Sequence, residues 1–429
     1  MKKLCKSAVI LLLALISRVV LHRYQPRIVM VTGSVGKTST KDAVAAVLAA
    51  RFFVRKSEKS FNSEFGVPFT ILGVGNPWSD PFAWFRVMRS AFALIILPNH
   101  YPNMLVLEMG ADRPGDLAWI LRFATPDAVV VTRLPEIPVH VEAYASPEAV
   151  REEEFSPAYA LRPEAPLIIS ADRSYALAMA KRTPARIISY GSTNGADVRI
   201  SDIDFYEVAE KVAGMQASVH IQGKEGKLVI KGSVGKTQLL PAAAALAAAL
   251  AFDVPLPEAL KALKEYEPPC GRGCLLTGKN GSLIIDDSYN ASPAAVEEAL
   301  ATLKTFPHAK RRIAVLGDML ELGRYSVTEH ERIAALADDS ADVIITVGIR
   351  ARAFASVAEA SRVQARDALN FSNSYEAARA LPAFVREGDV ILVKGSQSIR
   401  TERIVEALLA NPCDTSRLVR QERRWKQKM

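Results

Sequence analysis

The chain has 429 residues, 49% of them hydrophobic and 23% charged, which excludes a disordered or fibrous protein and leaves room for two or three domains with buried cores. Four cysteines, Cys5, Cys270, Cys274 and Cys413, are too few and too scattered for a disulfide framework and lack the paired spacing of a zinc ribbon, so a reducing, cytoplasmic setting is expected. The net charge of +8 is concentrated at Lys2, Lys3 and Lys6 and in the run from Arg417 to Lys428, which favours solvated tails or attraction to anionic lipid over a nucleic-acid partner.

Residues 1–25 open with lysines and continue as an apolar run, Ala8 to Ile16, that Arg18 interrupts. The run is shorter than the roughly 20 apolar residues of a spanning helix, and no small-residue cleavage site follows. The expectation is an uncleaved helix lying on a membrane or packed on the protein. Next come a buried strand from Arg27 to Thr32, an alanine-rich helix from Lys41 to Ala50, and strands from Met104 to Glu108 and Ala128 to Thr132. Trp78, Phe82, Trp84 and Phe85 read as a packing cluster. The segment from Val198 to Ile230 alternates without long helices and predicts a small antiparallel addition before a helix from Pro241 to Phe252.

Beyond Gly271 strands are predicted at Leu283 to Asp286, Ile313 to Leu316, Val343 to Val347 and Val390 to Val393. Between and after them lie helices from Pro293 to Leu303, Thr328 to Ala337, Tyr375 to Phe384 and Ile399 to Leu409. The fold class is therefore α/β throughout, with a mostly parallel first sheet and a second, Rossmann-like domain. Glu267, Pro268 and Pro269 supply a hinge, giving an N-terminal helix at 1–25, a central domain at 26–270 and a C-terminal domain at 271–429.

The strand ending at Thr32 runs into Gly33, Ser34, Val35, Gly36, Lys37, Thr38 and Ser39 and then a helix. In that context backbone N–H groups cradle phosphates, Lys37 meets the terminal ones, and the Thr38 hydroxyl is placed for Mg2+. The central domain is accordingly predicted to be a P-loop ATPase domain. The six residues Gly232 to Thr237 repeat Gly33 to Thr38 with every letter identical, again between a strand-like run and a helix, and are read as a structural turn.

This compact loop resembles that of the Mur ligase family, and the likeness continues in order down the chain. It is carried by Asn62 to Pro68, Leu107 to Ala111 with Arg113 to Gly115, Asp286 to Pro293, Gly317 to Gly323, and Lys394 to Ser396. The third and fourth of these blocks are similar to the dipeptide-adding branch. The resemblance implies an ATP-dependent ligase that activates a muramyl-peptide carboxylate as an acyl phosphate and joins it to D-alanyl-D-alanine in cell-wall synthesis. Lys37, His140 and Arg272 are implied as catalytic residues, and Thr38, Glu108, His140 and Glu154 as metal ligands. Asp287, Tyr289 and Asn290 join the loop around ATP, while Asp318, Glu321 and Lys394 face the incoming amine.

The chain also departs from the family. About 30 residues precede the loop where relatives carry a uridine-binding domain, so a chain without that domain is expected. Glu154, in the run Arg151 to Glu154, stands where relatives carry a carbamylated lysine, and Gln238 to Pro241 replace paired asparagines. Two further readings follow: a ligase acting on a lipid-linked precursor at the inner face of the membrane, attached peripherally through residues 1–25, and a nucleotide-binding scaffold. The working unit is expected to be a monomer.

Overall fold

A computed structural model describes residues 2–58, 61–77, 80–172, 174–354 and 368–426. The first sheet contains β1 (Arg27–Thr32), β2 (Val54–Lys56), β3 (Met104–Glu108), β4 (Ala128–Val131), β5 (Pro166–Ser170), β6 (Arg186–Gly191), β7 (Val198–Val208), β8 (Lys211–Ile221) and β9 (Lys224–Lys231). Their order is β2-β3-β1-β4-β5-β6-β7-β8-β9. Pairing is parallel as far as β7 and antiparallel from β7 to β9, so the alternating segment does form the predicted addition.

Both faces of this sheet are covered, which is why its central strands are apolar at every position. Val29 and Val31 of β1 join the core beneath the helices Lys37–Leu48 and Lys236–Ala251. Ile28 and Met30 point the other way, into a core shared with the helices Lys2–Tyr24, Gly66–Leu72 and Pro81–Ile96.

The second sheet contains β10 (Cys274–Thr277), β11 (Leu283–Asp287), β12 (Arg311–Gly317), β13 (Val343–Val347), β14 (Ala368–Phe371) and β15 (Asp389–Lys394), ordered β10-β11-β15-β12-β13-β14. All neighbours run parallel except β10 and β11, giving the Rossmann-like layer predicted for this half.

Several sequence-based boundaries move. The first alanine-rich helix begins at Lys37, because Gly36 at φ 90° turns the chain straight into it and places Thr38 and Ser39 on its first turn. The second begins at Lys236 and carries Pro241 inside it; the burial of Ala242 to Ala249 offsets the one backbone bond that proline forfeits. The last predicted helix starts only at Glu402, since Arg400 at φ 63° breaks the run from Ile399.

The N-terminal helix extends over Lys2–Tyr24, and Lys6–Tyr24 is long and apolar enough to cross a membrane by length and composition. That corrects the estimate from its uninterrupted apolar run, because a helix continues through Arg18 at no cost where the arginine faces outward. Leu13, Ser17 and Val20 are buried against the protein. Phe82 and Phe85, expected to pack, are 78% and 69% exposed. Trp78 lies outside the described residues.

Candidate functional site

β1 is the point at which the strand order reverses, with β3 on one side and β4 on the other, and ligands of open α/β sheets bind beyond the strand ends there. Gly33 takes φ 114°, and a Cβ on it would collide with the Thr132 hydroxyl oxygen just past β4. Only glycine permits this approach. The Lys37 ammonium donates to the Gly33 carbonyl and lies 3.5 Å from the Ser34 carbonyl and 4.0 Å from Glu154 Oε1.

Thr38 Oγ1 donates to Glu108 Oε1 at 3.2 Å, while Glu108 Oε2 is buried without a hydrogen-bond partner. Burial pushes the Glu108 carboxyl up, against the opposing pull of Lys41 and Lys37. A hydroxyl beside a carboxylate whose second oxygen has only the Lys41 ammonium near it, at 3.9 Å, is a donor set that suits a hard divalent cation. Among the described residues no three His, Cys, Asp or Glu side chains form a preassembled cage.

A cleft of about 670 Å3 joins this loop to the second sheet. Ser34, Gly36, Lys37, Thr38, Glu108 and His140 line it from one side; Arg272, Tyr289, Asn290 and Glu321 line it from the other. His140, at φ 64°, places Nδ1 3.0 Å from Glu321 Oε2 and Nε2 3.5 Å from Asp112 Oδ1. Burial alone would depress His140, but Glu321 and Asp112 outweigh it and the imidazole is shifted up.

Arg272 is set between Gly271 and Gly273, both with positive φ, and its guanidinium lies 4.1 Å from the centre of the Tyr289 ring. Its carbonyl accepts from Ser233 Oγ at 2.7 Å and Gln238 Nε2 at 2.8 Å. These two donors belong to the repeated loop and the first turn after it. There Lys236 turns to Ser192 Oγ at 3.1 Å and Asp172 Oδ2 at 3.7 Å, and Gly235 adopts φ 107°, ψ 152° where Gly36 has 90° and 2°. Identical letters thus take two backbone shapes, and the second copy shapes the Arg272 turn.

Other predicted site residues lie beneath the cleft, not on its lining. Lys394 is buried and donates to Asp287 Oδ2 at 2.7 Å and the Asn290 carbonyl at 3.0 Å. Asp318 Oδ1 accepts from the Ala351 amide at 2.7 Å. Each is held by the protein's own polar groups. Ser39 is buried, with its carbonyl accepting from Tyr266, and Val35 bridges to Arg133. Glu154 is buried behind the loop, where Oε2 accepts from Ser34 Oγ at 2.5 Å, so both its oxygens face loop groups and it does not line the cleft.

Some of the lining has no counterpart in the sequence reading. Arg400 and Trp425 reach the cleft, with Arg400 Nη1 donating to the Trp425 carbonyl at 2.9 Å. Arg420, counted with the solvated tail, is buried and donates to Glu402 at 2.9 Å and to the Ser288 and Tyr289 carbonyls. No local pattern marks these residues, since the contacts form only when the tail folds back over the Ser288–Asn290 turn.

The fold and cleft define a phosphate-loop protein whose second α/β layer brings an arginine, a tyrosine and a carboxylate into the loop's cleft. Residues 89–249 match the Mur ligase middle domain and residues 271–397 the Mur ligase glutamate ligase domain. The chain is 32% identical over 403 residues to the UDP-N-acetylmuramoyl-tripeptide--D-alanyl-D-alanine ligase of Mycobacterium bovis, covering 90% of this chain and 73% of that protein. It is 27% identical to the Bacillus subtilis ligase of the same name, covering 92% and 79%. The crystal structure of the MurF ligase from Thermotoga maritima in complex with ADP superposes with a TM-score of 0.76 at 26% identity, covering 93% of this chain and 83% of that one. The chain belongs to the Mur ligase family.

Proposed function

We propose that the protein is a cytoplasmic ATP-dependent ligase that joins a muramyl-tripeptide carboxylate to D-alanyl-D-alanine, with a central domain at 26–270 and a C-terminal domain at 271–429. The observation that carries the reading is the single cleft shared by Lys37, Thr38, Glu108 and His140 with Arg272, Asn290 and Glu321, in a chain 32% identical to a ligase of that specificity.

The acceptor carboxylate attacks the γ-phosphorus of ATP, ADP leaves, and the acyl phosphate is then attacked by the dipeptide amine, which loses a proton as phosphate departs. Negative charge gathers on the phosphoryl oxygens in the first step, so prepositioned cations lower its barrier. Lys37 exchanges its loop carbonyls for phosphate oxygens, and Arg272, stacked on Tyr289, approaches from the opposite wall. Thr38 and Glu108 fit Mg2+, which when bound neutralises phosphate charge. His140, held by Glu321, faces the same site. Glu154 braces Ser34 and Lys37, and Lys394 and Asp318 position the backbone at Asn290 and Ala351.

A second reading, with a lipid-linked precursor as acceptor, is favoured by one contact. Lys6 of the N-terminal helix donates to Glu64 at 3.0 Å, two residues from the cleft residue Asn62, so a peripheral membrane helix would lie at the rim of the site.

The test is phosphate release from ATP and Mg2+ with D-alanyl-D-alanine, comparing a UDP-linked muramyl tripeptide with its lipid-linked counterpart. Release with the UDP substrate that disappears in Lys37→Ala supports the first reading. Release with the lipid-linked substrate alone transfers the function to the membrane, and silence with both overturns the ligase assignment in favour of a scaffold.

A further inference from the structure

We propose that the outer faces of the helices Lys2–Tyr24 and Pro81–Ile96 form one docking surface for an anionic lipid bilayer, on which the protein lies without crossing it. The inference extends the membrane contact proposed for residues 1–25 to a second helix and is independent of the ligase reaction.

The two helices are fixed side by side on one face of the first sheet. Leu13, Ile16 and Val20 of one and Val87, Ala91 and Leu94 of the other are buried in the same core. Tyr24 donates to the Leu94 carbonyl at 2.8 Å, and Arg23 donates to the Ile95 and Leu97 carbonyls, tying their C-terminal ends together. Their outer faces therefore look away from the sheet on the same side.

Those faces are apolar where a soluble surface would be polar. Leu11 and Leu15 are 57% and 61% exposed, and Phe82, Phe85, Phe92 and Ile96 are 78%, 69%, 54% and 68% exposed. The last four recur at three-, seven- and four-residue steps, the spacing of one helix face. An exposed patch of this kind marks an interaction site.

Charge selects the occupant. Neither helix contains an aspartate or glutamate, while Arg18, Arg23, Arg86 and Arg89 are exposed on them. Cations beside aromatic and aliphatic side chains suit the boundary between anionic headgroups and acyl chains. A second copy of the chain would set these arginines against their own counterparts, and the one acid beside them, the cap residue Asp80, is already paired with Arg86 at 3.6 Å. Crossing the bilayer would require Leu13 and Val20 to leave the core, with β1 beginning three residues after Tyr24.

The test is co-sedimentation of the full chain with phosphatidylcholine vesicles, with and without phosphatidylglycerol. Binding to the anionic vesicles that weakens with salt and is released by a carbonate wash is expected. Phe82→Ser/Phe85→Ser/Phe92→Ser and Arg86→Glu/Arg89→Glu should each lower partitioning about tenfold or more. Circular dichroism and turnover in vesicle-free solution verify that these surface variants fold. Unchanged partitioning of both second-helix variants overturns the proposal, as does carbonate-resistant insertion, or a concentration-dependent dimer that ignores vesicles. Failure of the ligase assay with vesicle binding intact would count against the enzyme reading alone.

Discussion

Glu321, from the loop after β12, holds the imidazole of His140, from the loop after β4, at 3.0 Å, so this contact joins the two sheets across the cleft. Both residues have positive φ, 65° and 64°, a backbone state that persists only where surrounding contacts enforce it. The pair makes this contact between the two sheets pH-dependent. Because the His140 value is raised in the folded protein, its contribution is fully present below the ordinary 6.5 and is lost as pH rises through the raised value. Glu321→Gln should move the His140 titration downward by NMR; an unmoved midpoint would refute the coupling.

The two identical loops should respond differently to the same substitution. Lys37→Ala removes a cation from the cleft and is expected to lower kcat by roughly 10²–10³-fold. Lys236→Ala should leave nucleotide affinity intact, because Lys236 is directed to Ser192 and Asp172. Equal losses of ATP binding in the two variants would show that both loops hold phosphate.

Glu154 separates a loop brace from a metal ligand. Glu154→Gln still accepts from Ser34 and is expected to retain turnover with an unchanged Mg2+ requirement, whereas Glu154→Ala leaves Ser34 and Lys37 unsupported and should be inactive. A sharply raised Mg2+ requirement in Glu154→Gln would assign the carboxylate to the metal.

Asp286 carries a pH dependence of the opposite kind from most carboxylates. Burial pushes it from the ordinary 3.8 to about 6, with Oδ2 unpartnered. The folded state therefore binds the extra proton, and stability falls as pH rises from about 4 through about 6. Asp286→Asn should be more stable at pH 7, by on the order of 1–3 kcal/mol, and should lose that slope. Denaturant unfolding at several pH values reads both; a variant with the wild-type slope would refute the assignment.

Lys394 is buried and pairs with the part-buried Asp287, and burial pulls the lysine down. Lys394→Ala leaves the Asp287 charge without its partner and should cost about 1.5–3 kcal/mol in chemical unfolding, while the double variant Lys394→Met/Asp287→Leu should recover most of it. If the single variant is nearly neutral, Lys394 is not a positioning residue.

The sequence by itself determined the parts whose cause is local. Gly33 to Thr38 is legible because its glycines let the chain turn tightly from an apolar strand into a helix with a lysine at the turn, and the alternation of 198–230 fixes a period-two pattern that no helix can satisfy. What it could not show are the pairings made by chain return. Arg420 reads as one more tail cation until the tail folds onto Tyr289, and Lys394 reads as a loop charge until Asp287 is found 2.7 Å away. Gly232 to Thr237 is the plainest case. Six residues identical to the phosphate loop become a support for Arg272, because Asp172 and Ser192 draw Lys236 aside and Gly235 turns the backbone another way. Local preference allowed both shapes, and only the surrounding partners chose between them.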